Sequence, residues 1–345
     1  MTSRSALRPL SWLYGAGVRG RAYAYKRGWI SSERLPVPVI SIGNLTVGGT
    51  GKTPATIALA RWIREELRKE VAILSRGYKR RDPHWIRLVS SEDRVEEVGD
   101  EPLLMARALP GIPVVVGEKR VEAAHWALKR FPVDVFLLDD GFQHLRLQRD
   151  LDLVLIDTVS FFRVGRLLPA GSLREPLSAL RRADFLCLTR ADALDPVDAV
   201  AEQLRRIAPT PPILRSCHRP KGFWDLRTGK MENLKGLEGK RVFALCGIAH
   251  PDSFRGTLGK LGVEVVQPFI FPDHHFYRDR DWKEILQGVK HHPVDAIVTT
   301  EKDAVRLGRF SSDIPVWVLT IEWEVTEGWP LLKARIETLL RRTHA

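Results

Sequence analysis

A glycine-rich segment between an apolar run and a helical pattern is the feature that most constrains how this chain folds. Residues 37–42 form a short apolar run that predicts a buried strand, and residues 54–67 predict a helix. Between them lies Thr46-Val47-Gly48-Gly49-Thr50-Gly51-Lys52-Thr53. A strand, a glycine-rich loop and a helix in this order are the context of a phosphate-binding loop. The sequence therefore predicts a nucleotide-binding α/β domain.

The residue types in this phosphate loop suit its chemistry. The glycines let the backbone curl so that its N–H groups converge on phosphate oxygens, and the helix N-terminus adds a partial positive charge. Lys52 is placed to reach the β- and γ-phosphates, and Thr53 to ligate Mg²⁺. Thr46 stands where the usual pattern has its first glycine. We predict that the whole loop binds nucleotide.

A second apolar run, residues 133–138, ends in the acidic pair Asp139-Asp140. A carboxylate at the carboxyl end of a strand faces the crevice where ligands bind in open α/β sheets. The second Mg²⁺-binding element of P-loop enzymes has this form. We predict that Asp139 or Asp140 holds Mg²⁺, and the pattern does not separate the two.

Apolar runs and helical patterns alternate along most of the chain, which indicates a parallel sheet covered on both faces. Further strands are predicted at 71–74, 113–116, 151–156, 185–189, 241–246, 263–269, 296–299 and 316–320. The alternation breaks at 208–239, where Pro, Gly and the turn sequence 225–230 are typical of a linker and a hairpin. The predicted fold class is α/β, with a P-loop core domain and a second, smaller α/β domain. The predicted ranges are 1–30 for an N-terminal segment, 31–210 for the core, 211–235 for a hairpin linker and 236–345 for the second domain.

Charge and cysteine content narrow the function classes. The formal net charge is +12 and the pI about 9.8, which favours a polyanionic partner such as nucleotide phosphate, nucleic acid or an anionic membrane. Cys187, Cys217 and Cys246 are too far apart for a CxxC motif. This pattern fits a reducing compartment, most simply the cytosol. No run reaches the ~18 apolar residues of a membrane span, and no signal peptide is predicted.

The first 32 residues contain no acid, and basic residues alternate there with Trp and Tyr. Leu10, Leu13, Tyr14, Gly17 and Val18 follow helical spacing. A basic helix with an aromatic-rich apolar face suits an anionic membrane surface. The same pattern also fits a helix packed on a core. The pattern alone does not choose between the two.

Three further clusters are candidates for chemistry. Asp100-Glu101 lies at a loop–helix junction, where acids orient an acceptor hydroxyl in some kinases but more commonly cap a helix. His274-His275 follows Asp273, and one histidine paired with a carboxylate is more plausible than a chelating pair. The segment 189–192 has a weak similarity to the guanine-binding motif of GTPases, with Arg190 in place of lysine.

Together these motifs resemble the tetraacyldisaccharide 4'-kinase family, the lipid A 4'-kinases of Gram-negative bacteria. The resemblance spans most of the chain. It rests on residues 37–54, 74–78, 98–102, 138–144, 168–176, 271–277 and 300–304. Thr46 is similar to the family's own variant of the loop. The implied fold has a P-loop core and a smaller domain joined by a two-stranded linker, with the active site between them.

The resemblance implies that ATP and Mg²⁺ are used to phosphorylate the 4'-hydroxyl of a tetraacyldisaccharide 1-phosphate, which gives lipid IV(A). It implies that Asp100 is the catalytic base and that a histidine of the second domain pairs with it. The sequence does not settle whether this is His274 or His275, and we favour His274 because it directly follows Asp273. The resemblance also implies that Glu175 joins Thr53 and Asp139 or Asp140 around Mg²⁺. Lys52, Asp139 and Asp140 are the other catalytic candidates. Candidates for contact with substrate or phosphate are Arg76, Glu101, Arg120, Gln143 and Arg174.

The resemblance also favours membrane docking of residues 1–30, at the cytoplasmic face of the bacterial inner membrane as a peripheral protein. We predict an acylated disaccharide lipid and an anionic membrane surface as partners, with no nucleic acid and no obligate protein partner. Two alternatives remain: a P-loop GTPase or ATPase switch, and a nucleic-acid-binding ATPase. Against the second, the basic residues are spread along the chain.

Overall fold

The computed structural model describes residues 7–162, 165–192, 197–308 and 310–341. Residues 1–6 of the predicted N-terminal segment lie outside the described residues, as do the last four residues of the predicted second domain.

Helices and strands alternate along the chain. The helices are α1 (Arg8–Lys26), α2 (Lys52–Glu65), α3 (Val95–Val98), α4 (Asp100–Ala108), α5 (Arg120–Leu128), α6 (Thr158–Phe161), α7 (Val197–Ile207), α8 (Pro251–Lys260), α9 (Asp279–His291), α10 (Glu301–Leu307) and α11 (Trp329–Arg341), with short 3₁₀ helices at Leu177–Arg182 and Leu234–Leu237. The strands are β1 (Val39–Asn44), β2 (Val71–Ser75), β3 (Arg87–Leu88), β4 (Val114–Val116), β5 (Val135–Asp139), β6 (Leu151–Asp157), β7 (Phe185–Thr189), β8 (Ile213–Asp225), β9 (Met231–Glu232), β10 (Arg241–Cys246), β11 (Glu264–Ile270), β12 (Ala296–Thr300) and β13 (Val316–Glu327).

The strands form one continuous sheet in the order β11-β10-β12-β13-β8-β7-β6-β1-β5-β2-β4-β3, and β9 pairs with β8. Strands β1, β2 and β4 to β8 are parallel and make an N-terminal half. Strands β10 to β13 are parallel and make a C-terminal half. The predicted fold class, α/β with a mostly parallel sheet, is confirmed.

Strand β1 lies at the centre of the N-terminal half, between β5 and β6. Its side chains alternate between two apolar clusters: Ile40 and Ile42 pack on the side of α2, and Val39 packs on the side of α5. Burial of both faces explains why β1 carries apolar side chains on both sides and no charged residue. The register places Ile42 opposite Asp139, so the acidic pair ends its strand beside the phosphate loop.

The two halves of the sheet are joined by β8 and β13, which pair antiparallel along most of their length. The sequence predicted a linker at 211–235, and β8 lies in that range, but its partner strand comes from much later in the chain. Proline is tolerated in β8 because Pro220 lies opposite a register shift between Thr320 and Ile321. The predicted turn is present: Asp225 N–H donates to the carbonyl of Lys230 at 2.9 Å.

The last helix, α11, packs against the core of the N-terminal half. Leu332, Ile336 and Leu340 belong to the same apolar cluster as Ile63 of α2. Trp329 meets Trp62 edge to face, with ring centroids 5.1 Å apart. The predicted range 236–345 therefore does not describe the packing of this helix. Helical periodicity gives an apolar face but does not say which core receives it.

Candidate active site

The phosphate loop connects β1 to α2 in a curled conformation. Gly48 and Gly51 have φ angles of 111° and 86°, which L side chains rarely adopt. Helix α2 begins at Lys52, and the amide of Asn44 donates to Thr50 Oγ1 at 2.9 Å, which ties the loop to the end of β1. Lys52 and Thr53 are buried. The predicted loop therefore has the geometry of an anion cradle at a helix N-terminus.

The acidic pair lies beside this loop, and its two members have different surroundings. Asp139 accepts a hydrogen bond from Ser75 Oγ at 3.0 Å, and Asp140 lies 3.5 Å from Lys52 Nζ and 2.7 Å from Arg174 Nη1. Burial, with the nearby charges of Glu101 and Asp140, raises the pKa of Asp139. Burial also raises the pKa of Asp140, but its cationic neighbours outweigh that and lower the pKa to about 2.

Asp100 and His274 come together from the two halves of the molecule. Asp100 is the first residue of α4, and His274 lies in the loop between β11 and α9; their Oδ2 and Nδ1 atoms are 2.8 Å apart. Burial raises the pKa of Asp100, but His274, Lys302 and Arg306 together lower it to about 2. His275 faces the other way and contacts Asp281 at 2.9 Å. The predicted contact of Asp100 with His274 rather than His275 is present.

Three predicted residues already have ionic partners. Both carboxylate oxygens of Glu175 accept from Arg182, at 2.6 and 2.7 Å. Glu101 accepts from Lys302 Nζ at 3.2 Å, and Arg76 pairs with Glu118 at 3.1 Å. These pairs restrain the side chains at the edge of the site.

The remaining predicted residues also line the site. Gln143 donates to the carbonyl of Asn44 at 2.9 Å, which fixes it beside β1. Arg120 is buried, and burial lowers its pKa to about 10, so it stays charged near neutral pH. His144 is adjacent to Gln143, and burial together with nearby arginines lowers its pKa to about 3, so its ring is neutral.

Helix α1 forms one wall of the site. The hydroxyl of Tyr14 donates to the carbonyl of Arg174 at 2.9 Å, and Ser11 Oγ donates to the carbonyl of Leu167 at 2.9 Å. Its other face is exposed: Trp12 is 77% exposed and Leu13 71%. The helical pattern therefore contains both a packed side, at Ser11, Tyr14 and Gly15, and an apolar side that faces outwards.

Two cavities meet at the phosphate loop. The larger, about 780 Å³, is lined by the loop, the acidic pair, Asp100, His274 and helix α1. The smaller, about 220 Å³, lies between the other side of the loop and the C-terminal half, with apolar walls that include Ile248, Phe254 and Leu319. Gly49, Lys52, Glu101 and Lys302 line both cavities.

The chain is similar to known proteins over nearly its whole length. The family model described as LpxK, tetraacyldisaccharide-1-P 4'-kinase, matches residues 3–341. The chain belongs to this family. The tetraacyldisaccharide 4'-kinase of Anaeromyxobacter sp. (strain Fw109-5) is 42% identical over 342 residues, covering 96% of this chain and 90% of that protein. That of Syntrophus aciditrophicus (strain SB) is 40% identical over 336 residues, covering 92% and 88%.

A solved structure supports the membership of the LpxK family. The crystal structure of the "apo" form of LpxK from Aquifex aeolicus in complex with ATP has a TM-score of 0.79 and 34% identity, covering 98% of this chain and 99% of that one. The chain is therefore a kinase with a P-loop α/β fold. The predicted family, fold class and enzyme class are confirmed.

Sequence patterns did not identify several residues of this LpxK family site. Arg306 Nε lies 3.7 Å from Asp100 Oδ2, and Lys302 Nζ lies 3.1 Å from His274 Nε2. Lys302 falls in the segment 300–304 that carried part of the resemblance, and this was the one available signal. No sequence pattern pointed to Arg182, which pairs with Glu175.

Proposed function

We propose that this kinase transfers the γ-phosphate of ATP to the 4'-hydroxyl of a tetraacyldisaccharide 1-phosphate and so forms lipid IV(A). One observation carries the proposal: the larger cavity brings together the phosphate loop, the acidic pair, the Asp100–His274 pair and the wall of α1. Nucleotide phosphates and an acceptor hydroxyl can meet in that space, next to a helix whose outer face is apolar. The names of the relatives support the same substrate.

ATP fits across the two cavities. The loop amides and Lys52 suit the β- and γ-phosphates. The apolar walls of the smaller cavity suit the nucleoside. Arg190, which the sequence placed in a weak guanine-binding pattern, is held in a buried ion pair with Asp157. Asp157 therefore engages the guanidinium of Arg190, and this ion pair does not support the alternative of a GTPase switch.

The residues at the acidic pair fit Mg²⁺. Asp139 Oδ1 is buried without a hydrogen-bond partner among the described residues, and Thr53 is the second residue of α2, directly after Lys52. Among the described residues, no three His, Cys, Asp or Glu side chains form a metal cluster. Mg²⁺ at phosphate sites needs only one or two carboxylates together with phosphate oxygens and water. We propose Thr53, Asp139 and Asp140 as its ligands, with Glu175 nearby; the bound ion would neutralise charge on the phosphates.

Asp100 is the proposed base. A carboxylate with a pKa of about 2 is ionised at neutral pH and accepts a hydrogen bond from the acceptor hydroxyl. It holds a proton weakly, so its main contribution is to orient the oxygen that attacks the γ-phosphorus. A loose phosphoryl transition state needs little more from a base. Arg76, Glu101, Gln143 and Arg174 are the proposed contacts to the sugar and phosphate groups.

Helix α1 is the proposed membrane contact, at the cytoplasmic face of the inner membrane. Trp12 and Leu13 are exposed on a helix that carries basic residues and no acid. Such a helix binds anionic lipid through apolar burial and charge attraction together. None of the described helices is both long and apolar enough to cross a bilayer.

The decisive experiment is phosphate transfer in detergent micelles. ATP labelled at the γ-phosphate is incubated with the enzyme and tetraacyldisaccharide 1-phosphate, with Mg²⁺ or with EDTA. We expect Mg²⁺-dependent label in the lipid, and none when the 4'-hydroxyl of the acceptor is replaced by hydrogen. Label released only as inorganic phosphate, whether or not lipid is present, would overturn the proposal and favour a switch.

A further inference from the structure

Lys302 makes three close polar contacts at the boundary between the two halves. Its Nζ atom lies 3.1 Å from His274 Nε2, 3.2 Å from Glu101 Oε1 and 3.2 Å from Asp273 Oδ1. Lys302 is the second residue of α10. Burial lowers its pKa, but Glu101, Asp100 and Asp273 outweigh that and raise it, so the side chain is an ammonium ion.

Nε2 of His274 lies 3.1 Å from Lys302 Nζ and 3.9 Å from Asp273 Oδ2, so the nearer Lys302 favours one tautomer of the ring. An ammonium group only donates hydrogen bonds, so an ammonium beside Nε2 requires a free lone pair on that nitrogen. The ring proton is then on Nδ1, which lies 2.8 Å from Asp100 Oδ2 and donates to it. The chain of donors therefore runs from Lys302 through His274 to Asp100.

The backbone conformation and the neighbours of His274 also constrain the position of its ring. His274 has a φ angle of 59°, which is uncommon for a residue other than glycine and is tolerated where surrounding contacts compensate for it. Tyr78 packs edge to face on the imidazole, with ring centroids 5.4 Å apart. The charged groups around the lysine are Asp100, Glu101, Asp273 and Arg306. Two of these acids, Asp100 and Glu101, come from α4 of the N-terminal half.

We propose that Lys302 is a positioning residue for phosphoryl transfer: it holds His274 as the neutral tautomer that donates from Nδ1 to Asp100, and so fixes the carboxylate that faces the acceptor hydroxyl. This inference rests on the proposed role of Asp100 and His274. On this proposal Lys302 acts through His274 and not directly on the acceptor or on the phosphate that is transferred.

The first test compares Lys302→Met with Lys302→Arg, and with Lys290→Met as a control on the exposed side of α9. Partners that orient a metal-bound imidazole contribute about 10–100-fold to affinity or activity, and we expect a comparable contribution from a partner that orients His274. We expect Lys302→Met to lower kcat by that factor while the Kd for ATP stays near the wild-type value. Lys302→Arg should lose less, because it can still donate to Nε2, and Lys290→Met should lose nothing. A weaker ATP affinity with unchanged kcat would overturn the proposal, since Lys302 would then act on the nucleotide.

The second test is a double-mutant cycle with His274→Ala. If Lys302 acts through His274, Lys302→Met should reduce kcat much less in the His274→Ala background than in the wild type. Equal losses in both backgrounds would overturn the proposal but leave the role of His274 intact. If His274→Ala alone has no effect on kcat, the proposed role of His274 fails, and the inference about Lys302 fails with it.

The third test does not depend on activity. In protein labelled with ¹⁵N-histidine, the His274 signals are identified by their loss in His274→Ala. We expect a bare Nε2 and a protonated Nδ1 in the wild type and in Lys290→Met, and a different distribution of the proton in Lys302→Met. An unchanged His274 signal in Lys302→Met would overturn the proposal even if that variant folds poorly or loses activity.

Discussion

At Asp100, burial and charge act on the same carboxyl in opposite directions. The side chain is almost fully buried, and burial alone would favour the neutral acid. The hydrogen bond from His274 and the positive charges of Lys302 and Arg306 oppose burial, and their combined effect lowers the pKa to about 2. A local pattern of two acids at a helix start could not reveal this, because all three neighbours come from the C-terminal half.

The low pKa of Asp100 makes stability depend on pH. Its pKa falls from 3.8 in the unfolded chain to about 2 in the folded protein, so the stabilisation is present above 3.8 and is lost as the pH falls through about 2. Between pH 5 and pH 2, we expect the free energy of unfolding of the wild type to fall by about 2 kcal/mol more than that of Asp100→Asn. Urea unfolding at several pH values measures this. Parallel curves for the two proteins would contradict the assignment.

Substitution separates the roles of Asp100 and Lys52. Asp100→Ala removes the group that faces the acceptor, so kcat should fall by about 10²–10⁴-fold with little change in ATP affinity. Lys52→Ala removes a phosphate contact, so both kcat and ATP affinity should fall. Steady-state kinetics together with calorimetric titration of ATP distinguish the two cases. An equal loss of ATP binding in both variants would remove Asp100 from the proposed role.

Among the elements, α1 shows how one helical pattern can serve two surfaces. Ser11 and Gly15 are buried. An added Cβ on Gly15 would lie 2.7 Å from Leu167 Cδ1. Small residues on this side therefore let α1 approach the segment that contains Leu167 closely. Leu10, Trp12 and Leu13 point away from the core. The pattern by itself fitted both a packed helix and a membrane helix, and the structure gives α1 one packed side and one exposed side.

The exposed side of α1 can be tested directly. Full burial of a leucine side chain contributes about 1.5–3 kcal/mol, so Leu13→Ser should weaken binding to phosphatidylglycerol vesicles by about tenfold or more. Leu331→Ser is the matched control, because Leu331 is 58% exposed on α11. Vesicle co-sedimentation measures both variants, at low and at high salt. Equal binding by Leu13→Ser and wild type would contradict membrane docking through α1, as would binding that salt leaves unchanged.

For the whole molecule, the chain crosses between the halves more than once. It leaves the N-terminal half along β8 and returns along β13. It ends in α11, which packs on the core of the N-terminal half. The long antiparallel pair of β8 and β13 lets a single sheet run through both halves. At the site, the two halves also meet through the contacts of His274 with Asp100 and of Lys302 with Glu101.

Packing of α11 on the first core predicts a large effect of a distant substitution. Ile336 is fully buried there, so Ile336→Ala should lower the free energy of unfolding by about 2–5 kcal/mol. Leu331→Ala, on the exposed side of the same helix, should change it by less than about 0.5 kcal/mol. Urea unfolding followed by tryptophan fluorescence compares them. A small effect of Ile336→Ala would mean that α11 contributes little to the core of the N-terminal half.

The sequence by itself determined the secondary structure elements and the parts of the site that depend only on residues close together in the chain. The loop at 46–53, the acidic pair and most strands could be predicted, because a strand, a glycine turn and a helix start depend on neighbouring residues. Only the tertiary structure decided which distant groups meet. It paired β8 with β13 and placed α11 on the core of the N-terminal half. It also brought Lys302 next to His274 and Arg306 next to Asp100. Such contacts join residues far apart in the chain, and their strength depends on burial and mutual charge, which no local pattern records.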